Sequence, residues 1–207
     1  TVTGNSASSG GGGSYLGTLN NCTLTGNSAS LYGGGSSYST LNNCIVWGNV
    51  GGFSPNYDAS TLRYTCASLR ASGPGNIDTD PQLLADGVHI ASTSPCRTNG
   101  NALYASGTDI DGQAWANPPS IGCDQWQPQP LIIVAPRWQP GTGAGQALLV
   151  SVVAGQEPFD WWWTKDGTAV EDGARYGGAH SPSLLVRGFG LADAGAYQVV
   201  VSNAFGV

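Results

Sequence analysis

The sequence predicts an all-β protein: a right-handed parallel β-helix of 22-residue coils with a cap, followed by a β-sandwich that lacks its last strand. Three observations predict it. Residues 1–22 (TVTGNSASSGGGGSYLGTLNNC) and 23–44 (TLTGNSASLYGGGSSYSTLNNC) align without a gap, and a weaker third copy starts at Ile45 with IVWGN. A period this short excludes a helix pair and suits one turn of a solenoid. Gly, Ser, Thr and Asn dominate the copies, which disfavours helix and favours short strands broken at Gly and Asn corners. Beyond residue 66 the period is lost, and near residue 145 alternating strands such as GQALLVSVVAG take over.

Each coil can be read position by position. In TLTGN, Leu24 lies between two threonines, so one face is apolar and the other polar. Val2 and Val46 hold the same place in their copies, with Ile45 and Trp47 replacing the threonines in the third. Leu19 and Leu41 form a second apolar column, Cys22 and Cys44 a third. Stacked coils lie about 4.8 Å apart, so Asn5, Asn27 and Asn49 are expected to form an asparagine ladder, each amide bonding the next. The pairs Asn20-Asn21 and Asn42-Asn43 are expected to do the same at another corner. The runs Gly10–Gly13 and Gly33–Gly35 are expected to supply backbone angles that other residues resist. A single coil cannot bury its apolar column and needs neighbours.

Charge excludes several functions. The chain carries seven basic and thirteen acidic residues, net −6, and none precedes Asp58. An acidic chain without a basic cluster is a poor partner for nucleic acid. No apolar run approaches the roughly 20 residues of a membrane span. High Ser, Thr, Asn and Gly with little Lys suits an extracellular or cell-surface protein. No signal peptide opens the chain, no Met occurs in it, and it starts on the first residue of a repeat, so further coils are expected upstream.

Of five cysteines, Cys22 and Cys44 are expected as buried, reduced column residues. Cys66 keeps the same spacing, but STLRYTC is one residue longer than STLNNC, and a one-residue slip turns a side chain to the opposite face. Its placement is therefore left open. Cys96 and Cys123 share the irregular segment and form the candidate disulfide. No CxxC or paired His accompanies them, so no metal and no cofactor is assigned.

Residues 1–66 are read as coils and 67–127 as their cap, since a solenoid end exposes an open core and unpaired edges. Repeats of the form TLTGNSAS…GGG…TLNNC resemble bacterial β-helix surface proteins of the polymorphic-membrane-protein kind. The stretch NIDTDPQLLADGVHIASTSPCRTNGN…TDIDGQAW…IGCDQW resembles the closing region of such proteins, the choice-of-anchor Q domain. The resemblance covers roughly residues 1–127 and implies an adhesin or a pectate-lyase-like protein. Residues 128–144 combine a linker and a first strand. The GTGAGQ beginning at Gly141 lacks the strand–loop–helix context of a phosphate loop.

Residues 145–207 resemble an immunoglobulin-like domain. Asp193-Ala-Gly195-Ala-Tyr197 matches D-x-G-x-Y, which implies that Tyr197 is the corner tyrosine bonding back to the backbone, and Trp163 falls where the core tryptophan belongs. Val199 stands at the usual second cysteine position, and Val150, Ser151 and Val152 offer no first one, so no intersheet disulfide is expected. The sequence stops at Val207, where the last strand should begin. Of the run Trp161-Trp162-Trp163, the outer two share one face of a strand and turn inward. Trp162 faces out, where it either stacks on a sugar or partner protein or packs against a neighbouring segment; it is the candidate ligand-binding residue.

Catalytic chemistry finds little support. The coils carry only Asp58 and Arg63 as charged groups, too few for paired-carboxylate hydrolysis or lyase chemistry. TDIDG at Thr108–Gly112 lacks the acidic closer of a calcium loop, so Asp109 and Asp111, like Asp78 and Asp80, are read as bonding their own turns. His89 and His180 are read as structural or solvated. No catalytic residue is assigned. The expected role is a structural or adhesive module of a secreted bacterial surface protein or extracellular fibre, assembling head to tail through an open coil and an unfinished sandwich. Its partners would be copies of itself, neighbouring surface proteins or glycans. The alternative is the carbohydrate-binding part of a polysaccharide-degrading, pectate-lyase-like protein.

Overall fold

In the computed structural model, residues 1–68, 72–141 and 145–206 are described. Residues 142–144 of the GTGAGQ stretch and Val207 lie outside them. The protein is all-β and divides into two units, Thr1–Trp126 and Gln127–Val207.

The first unit is a parallel β-solenoid of about three coils. The first coil runs through β1 (Val2–Thr3), β2 (Ser6–Ala7), β3 (Ser14–Tyr15) and β4 (Thr18–Asn20). The second repeats this as β5 (Thr23–Thr25), β6 (Ser28–Ala29), β7 (Ser36–Ser37) and β8 (Thr40–Asn42). The third comprises β9 (Ile45–Trp47), β10 (Val50–Gly51), β11 (Tyr57–Asp58) and β12 (Thr61–Arg63), and β13 (Cys66–Ala67) continues the stack. Like pairs with like in four parallel ladders: β1-β5-β9-β13, β2-β6-β10, β3-β7-β11 and β4-β8-β12.

Corners between strands use left-handed residues, at Gly4, Gly26 and Gly48, at Leu16, Tyr38 and Ala59, and at Asn21, Asn43 and Tyr64. Val46, Leu24, Leu41, Leu62, Cys44 and Ala67 fill the interior, with Val2, Leu19 and Cys22 packed on them. The third coil is one residue shorter than the others. Thr18 pairs with Thr40, Thr40 with Thr61, and the loss falls between β10 and β11. Cys66 therefore pairs with Ile45 rather than Cys44, and Thr65 takes the place above Cys44. The even spacing of Cys22, Cys44 and Cys66 is a coincidence of numbering.

The segment expected only to close the end of the stack does more. Its start does lie on the last coil, with Tyr64 N donating to Pro74 O and Ala67 N to Ile77 O. The rest runs along the outside of the β1-β5-β9-β13 ladder. Gly122 N donates to Asn43 O at 2.8 Å, Asn43 and Asn101 exchange two bonds at 2.8 Å, and Cys123 N donates to Thr23 Oγ1 at 3.2 Å. Ile45 and Cys66, which point outward from the coils, join Ile90, Cys96 and Ile121 in a second core outside the first. The replacement of Thr by Ile45 and Trp47 has its cause here: that face is covered, and an apolar side chain buried there contributes about 2 kcal/mol more than one left in water.

The second unit packs two antiparallel sheets. One has the order β14 (Leu131–Pro140), β15 (Gln146–Ala154), β19 (Ser183–Arg187), β18 (Tyr176–Gly177); the other β17 (Thr168–Ala169), β16 (Asp160–Lys165), β20 (Tyr197–Ser202). Asp166 and Gly167, both at positive φ, turn β16 into β17. Leu149, Trp163, Val170, Ala179 and Leu184 form the core. Trp161 and Trp163 point inward as their alternation requires, and Trp163 Nε1 donates to Ser181 O at 2.8 Å. Val199 faces Trp163 across the β16-β20 pair.

Candidate functional site

The asparagine ladder forms, and its geometry explains the glycines beside it. Asn5 donates from Nδ2 to Asn27 Oδ1 and Asn27 from Nδ2 to Asn49 Oδ1, both at 3.0 Å, while each backbone N–H donates to the same oxygen. Each Nδ2 also reaches across a turn, Asn27 to Val2 O at 2.8 Å and Asn49 to Leu24 O at 2.9 Å. Asn49 ends on Asn56 Oδ1 at 3.0 Å. Asn56 stands in the third coil where Gly13 and Gly35 stand in the others, so its amide occupies the slot a further coil's asparagine would fill. A Cβ on Gly13 or Gly35 would lie 3.0 and 2.8 Å from the ladder nitrogens of Asn27 and Asn49. At the second corner only Asn20 and Asn42 bond to each other, at 2.9 Å. Asn43 turns to Asn101 instead, and the Asn21 amide is without a hydrogen-bond partner among the described residues.

All five cysteines are free, which corrects the expected Cys96–Cys123 disulfide. Ile121 N donates to Cys96 O at 2.8 Å, so Cys123 sits two residues further along, with its thiol on Thr23 Oγ1 at 3.2 Å. Cys96 lies against Cys66 instead; that contact, with burial, pushes the Cys66 thiol well up. Cys44 is buried as expected, and Cys22 is half-buried. The hydrogen bond from Cys44 lowers the Cys22 thiol to about 7.

A charged cluster lies in the lateral segment. His89 is buried, with Nδ1 on the Asp86 carboxylate and Nε2 at 2.8 Å from Asp111 Oδ2. Burial alone would lower the His89 pKa; the two carboxylates outweigh it and raise it to about 9. Burial raises Asp124, which accepts Ile90 N at 2.9 Å, to about 6. His89, Asp111 and Asp124 bring potential ligand atoms within 4.8 Å of one another. Both imidazole nitrogens are engaged by carboxylates, however, so the imidazolium itself fills the cation's place. Asp109 bonds its own turn, accepting Asp111 N and Gln113 N on Oδ1, as does Asp80 with Gln82 N.

The cluster makes a pH prediction. His89 has a folded pKa raised from 6.5 to about 9, so its contribution is present below pH 6.5 and is lost as pH rises to about 9. Asp124 acts in the same direction lower down, its contribution falling from pH 3.8 to about 6 as it ionises. We expect the upper step to amount to about 2 kcal/mol. Thermal melts at half-unit pH intervals should show it, and His89→Asn should erase the upper step while leaving the lower.

Trp162 is 43% exposed on the outer face of β16, beside Val200 of β20, also 43% exposed. The Tyr197 hydroxyl does not make the expected corner bond to the backbone among the described residues; it faces Tyr176, and burial, with that neighbour, raises it. Its ring instead meets Trp138 edge-on at 5.1 Å. His180 Nδ1 bonds Trp161 O at 2.9 Å. Among the described residues no helix is long and apolar enough to cross a membrane. Comparison with known protein families and with curated proteins finds no match.

Proposed function

We propose that this chain is a structural and adhesive module of a secreted bacterial cell-surface protein or extracellular fibre. The observation that carries the reading is the surface of the coils. Through residue 66 the charged side chains are Asp58 and Arg63 alone, yet Tyr15, Tyr38 and Phe53 are each more than half exposed. Such a wall is suited to contact rather than to acid–base chemistry. Ladder bonding along the stack leaves the edge of the first coil open to further pairing, while Pro74 and Ile77 lie on the last coil.

The repeat motif's likeness to polymorphic-membrane-protein-type repeats, and that of the lateral segment to a choice-of-anchor Q region, support the same placement. The second unit adds a module of immunoglobulin-like character. Its order β14-β15-β19-β18 against β17-β16-β20 follows the A-B-E-D and C-F arrangement of that fold, with Trp163 as core tryptophan.

Beads carrying the chain should be retained on bacterial biofilm or epithelial matrix well above beads carrying an inert protein of equal charge. Equal retention on every surface would end this reading. A second reading, the carbohydrate-binding part of a polysaccharide-degrading protein, is favoured by the exposed Trp162. It requires glycan binding that disappears in Trp162→Ala.

A further inference from the structure

On the coil wall, registered columns that elsewhere hold identical residues become unlike. Tyr15, Ser37 and Asp58 share one column, Leu16 and Tyr38 belong to the next, and Gly10, Tyr32 and Ser54 to a third. Large rings thus alternate with small residues on neighbouring coils. The result is a groove of about 600 Å³, with Gly10 and Ser37 among its small residues and Tyr15, Tyr32, Tyr38 and Asp58 among its large ones. That volume lies within the roughly 300–1,000 Å³ of ligand sites.

Folding does not account for these rings. Tyr38 has φ 53 and Leu16 has φ 55, a left-handed conformation that costs a bulky side chain about 1 kcal/mol. The equivalent left-handed corner uses asparagine at Asn21 and Asn43, which tolerates it, and Tyr64 in the third coil, whose ring packs near Tyr104 at 6.3 Å. Burial does not repay the strain either, since Tyr38 is 58% and Leu16 70% exposed. The rings are nonetheless held: Tyr15 meets Tyr38 edge-on at 6.0 Å, and Tyr32 stacks on Phe53 at 5.2 Å. Ordering them in advance lowers the entropy cost of binding.

We propose that this groove binds a neutral oligosaccharide. Aromatic rings offer apolar faces to the C–H face of a sugar, and the seryl and phenolic hydroxyls with the Asp58 carboxylate receive its hydroxyls. Apart from phenols, Asp58 is the one ionisable group lining the groove among the described residues. No cation is present there to pair with uronate, sulfate or phosphate, so the ligand is uncharged. The proposal rests on the adhesive reading and names its ligand class.

The test is a microarray of neutral and acidic oligosaccharides probed with the full chain, followed by titration calorimetry on the best neutral trisaccharide. Tyr15→Ala and Tyr38→Ala should each weaken binding about tenfold, Asp58→Asn a few-fold, and Trp162→Ala should leave it unchanged. Unaltered thermal melts will show that these exposed positions leave the fold intact. Binding only to acidic glycans, binding insensitive to both tyrosines, or loss through Trp162→Ala would overturn the proposal, as would no glycan binding at all. Bead retention that survives without glycan binding would remove the groove's role and keep the adhesive reading; loss of both would remove both.

Discussion

Replacing Asn49 by Ala should cost the solenoid about 4 kcal/mol. Four groups lose a hydrogen bond at once, although Asn27 Nδ2 keeps Val2 O and Asn56 Oδ1 keeps the Asn49 backbone N–H. Asn27 N–H and Asn27 Nδ2 lose the oxygen at 3.0 Å that both use, and Leu24 O and Asn56 Oδ1 lose the nitrogen donating to them at 2.9 and 3.0 Å. Asn49 and Asn27 are both buried, so water cannot reach these groups without opening the coil. For a unit of this size the loss corresponds to a fall in melting temperature of roughly 12–15 °C. Calorimetry on the chain measures it, and loss of hydrogen-exchange protection at the Asn27 amide locates it. Asn5→Ala, at the exposed rung, should cost about 1 kcal/mol.

Asn49→Asp separates hydrogen bonding from shape. It keeps the accepting oxygen but aims a second one at Leu24 O and Asn56 Oδ1. It should be as damaging as Ala at pH 7 and partly recover at pH 4, where a protonated carboxyl can donate again. Equal stability of Asn49→Ala and the parent chain would mean that backbone ladders alone hold the coils in register.

The coils were legible because two consecutive copies are nearly identical, and identity at a fixed period leaves one way to stack. The face of Cys66 was left open on the sequence, although the single extra residue in STLRYTC carried the signal of its displacement. What the sequence concealed lies in the aperiodic part. Asp86, His89, Asp111 and Asp124 meet only because loops fold back on a ladder, and no spacing rule relates them. The expected Cys96–Cys123 bridge failed for a related reason: sharing an irregular segment says nothing about where side chains point. A signal was present for the lateral cover. Ile45 and Trp47 break the Thr-x-Thr pattern on the face that should be wet, and an apolar break on a polar face announces something lying on it. The groove tyrosines were invisible without the register that sets unlike residues side by side.

The glycine runs give the second large effect, and for a reason other than the expected one. Gly11 and Gly33 do adopt positive φ, but Gly12, Gly13, Gly34 and Gly35 do not. They are glycine because the neighbouring coil leaves no room. A Cβ on Gly35 would stand 2.4 Å from Asn56 O, 2.7 Å from Val46 Cγ1 and 2.8 Å from Asn49 Nδ2. Two of these belong to the ladder and the third to the core, so relief of the clash must displace one or the other. Gly35→Ala should therefore cost about 3–4 kcal/mol, although alanine suits the backbone conformation there. Gly26→Ala is the control. Gly26 has φ +64 and no atom within 4 Å of its virtual Cβ, so only backbone strain of about 1 kcal/mol is expected. Calorimetry of the two variants orders the effects. A larger loss for Gly26→Ala would show that these glycines serve backbone angles after all; the larger loss at Gly35 means the coils are spaced by what their side chains leave out.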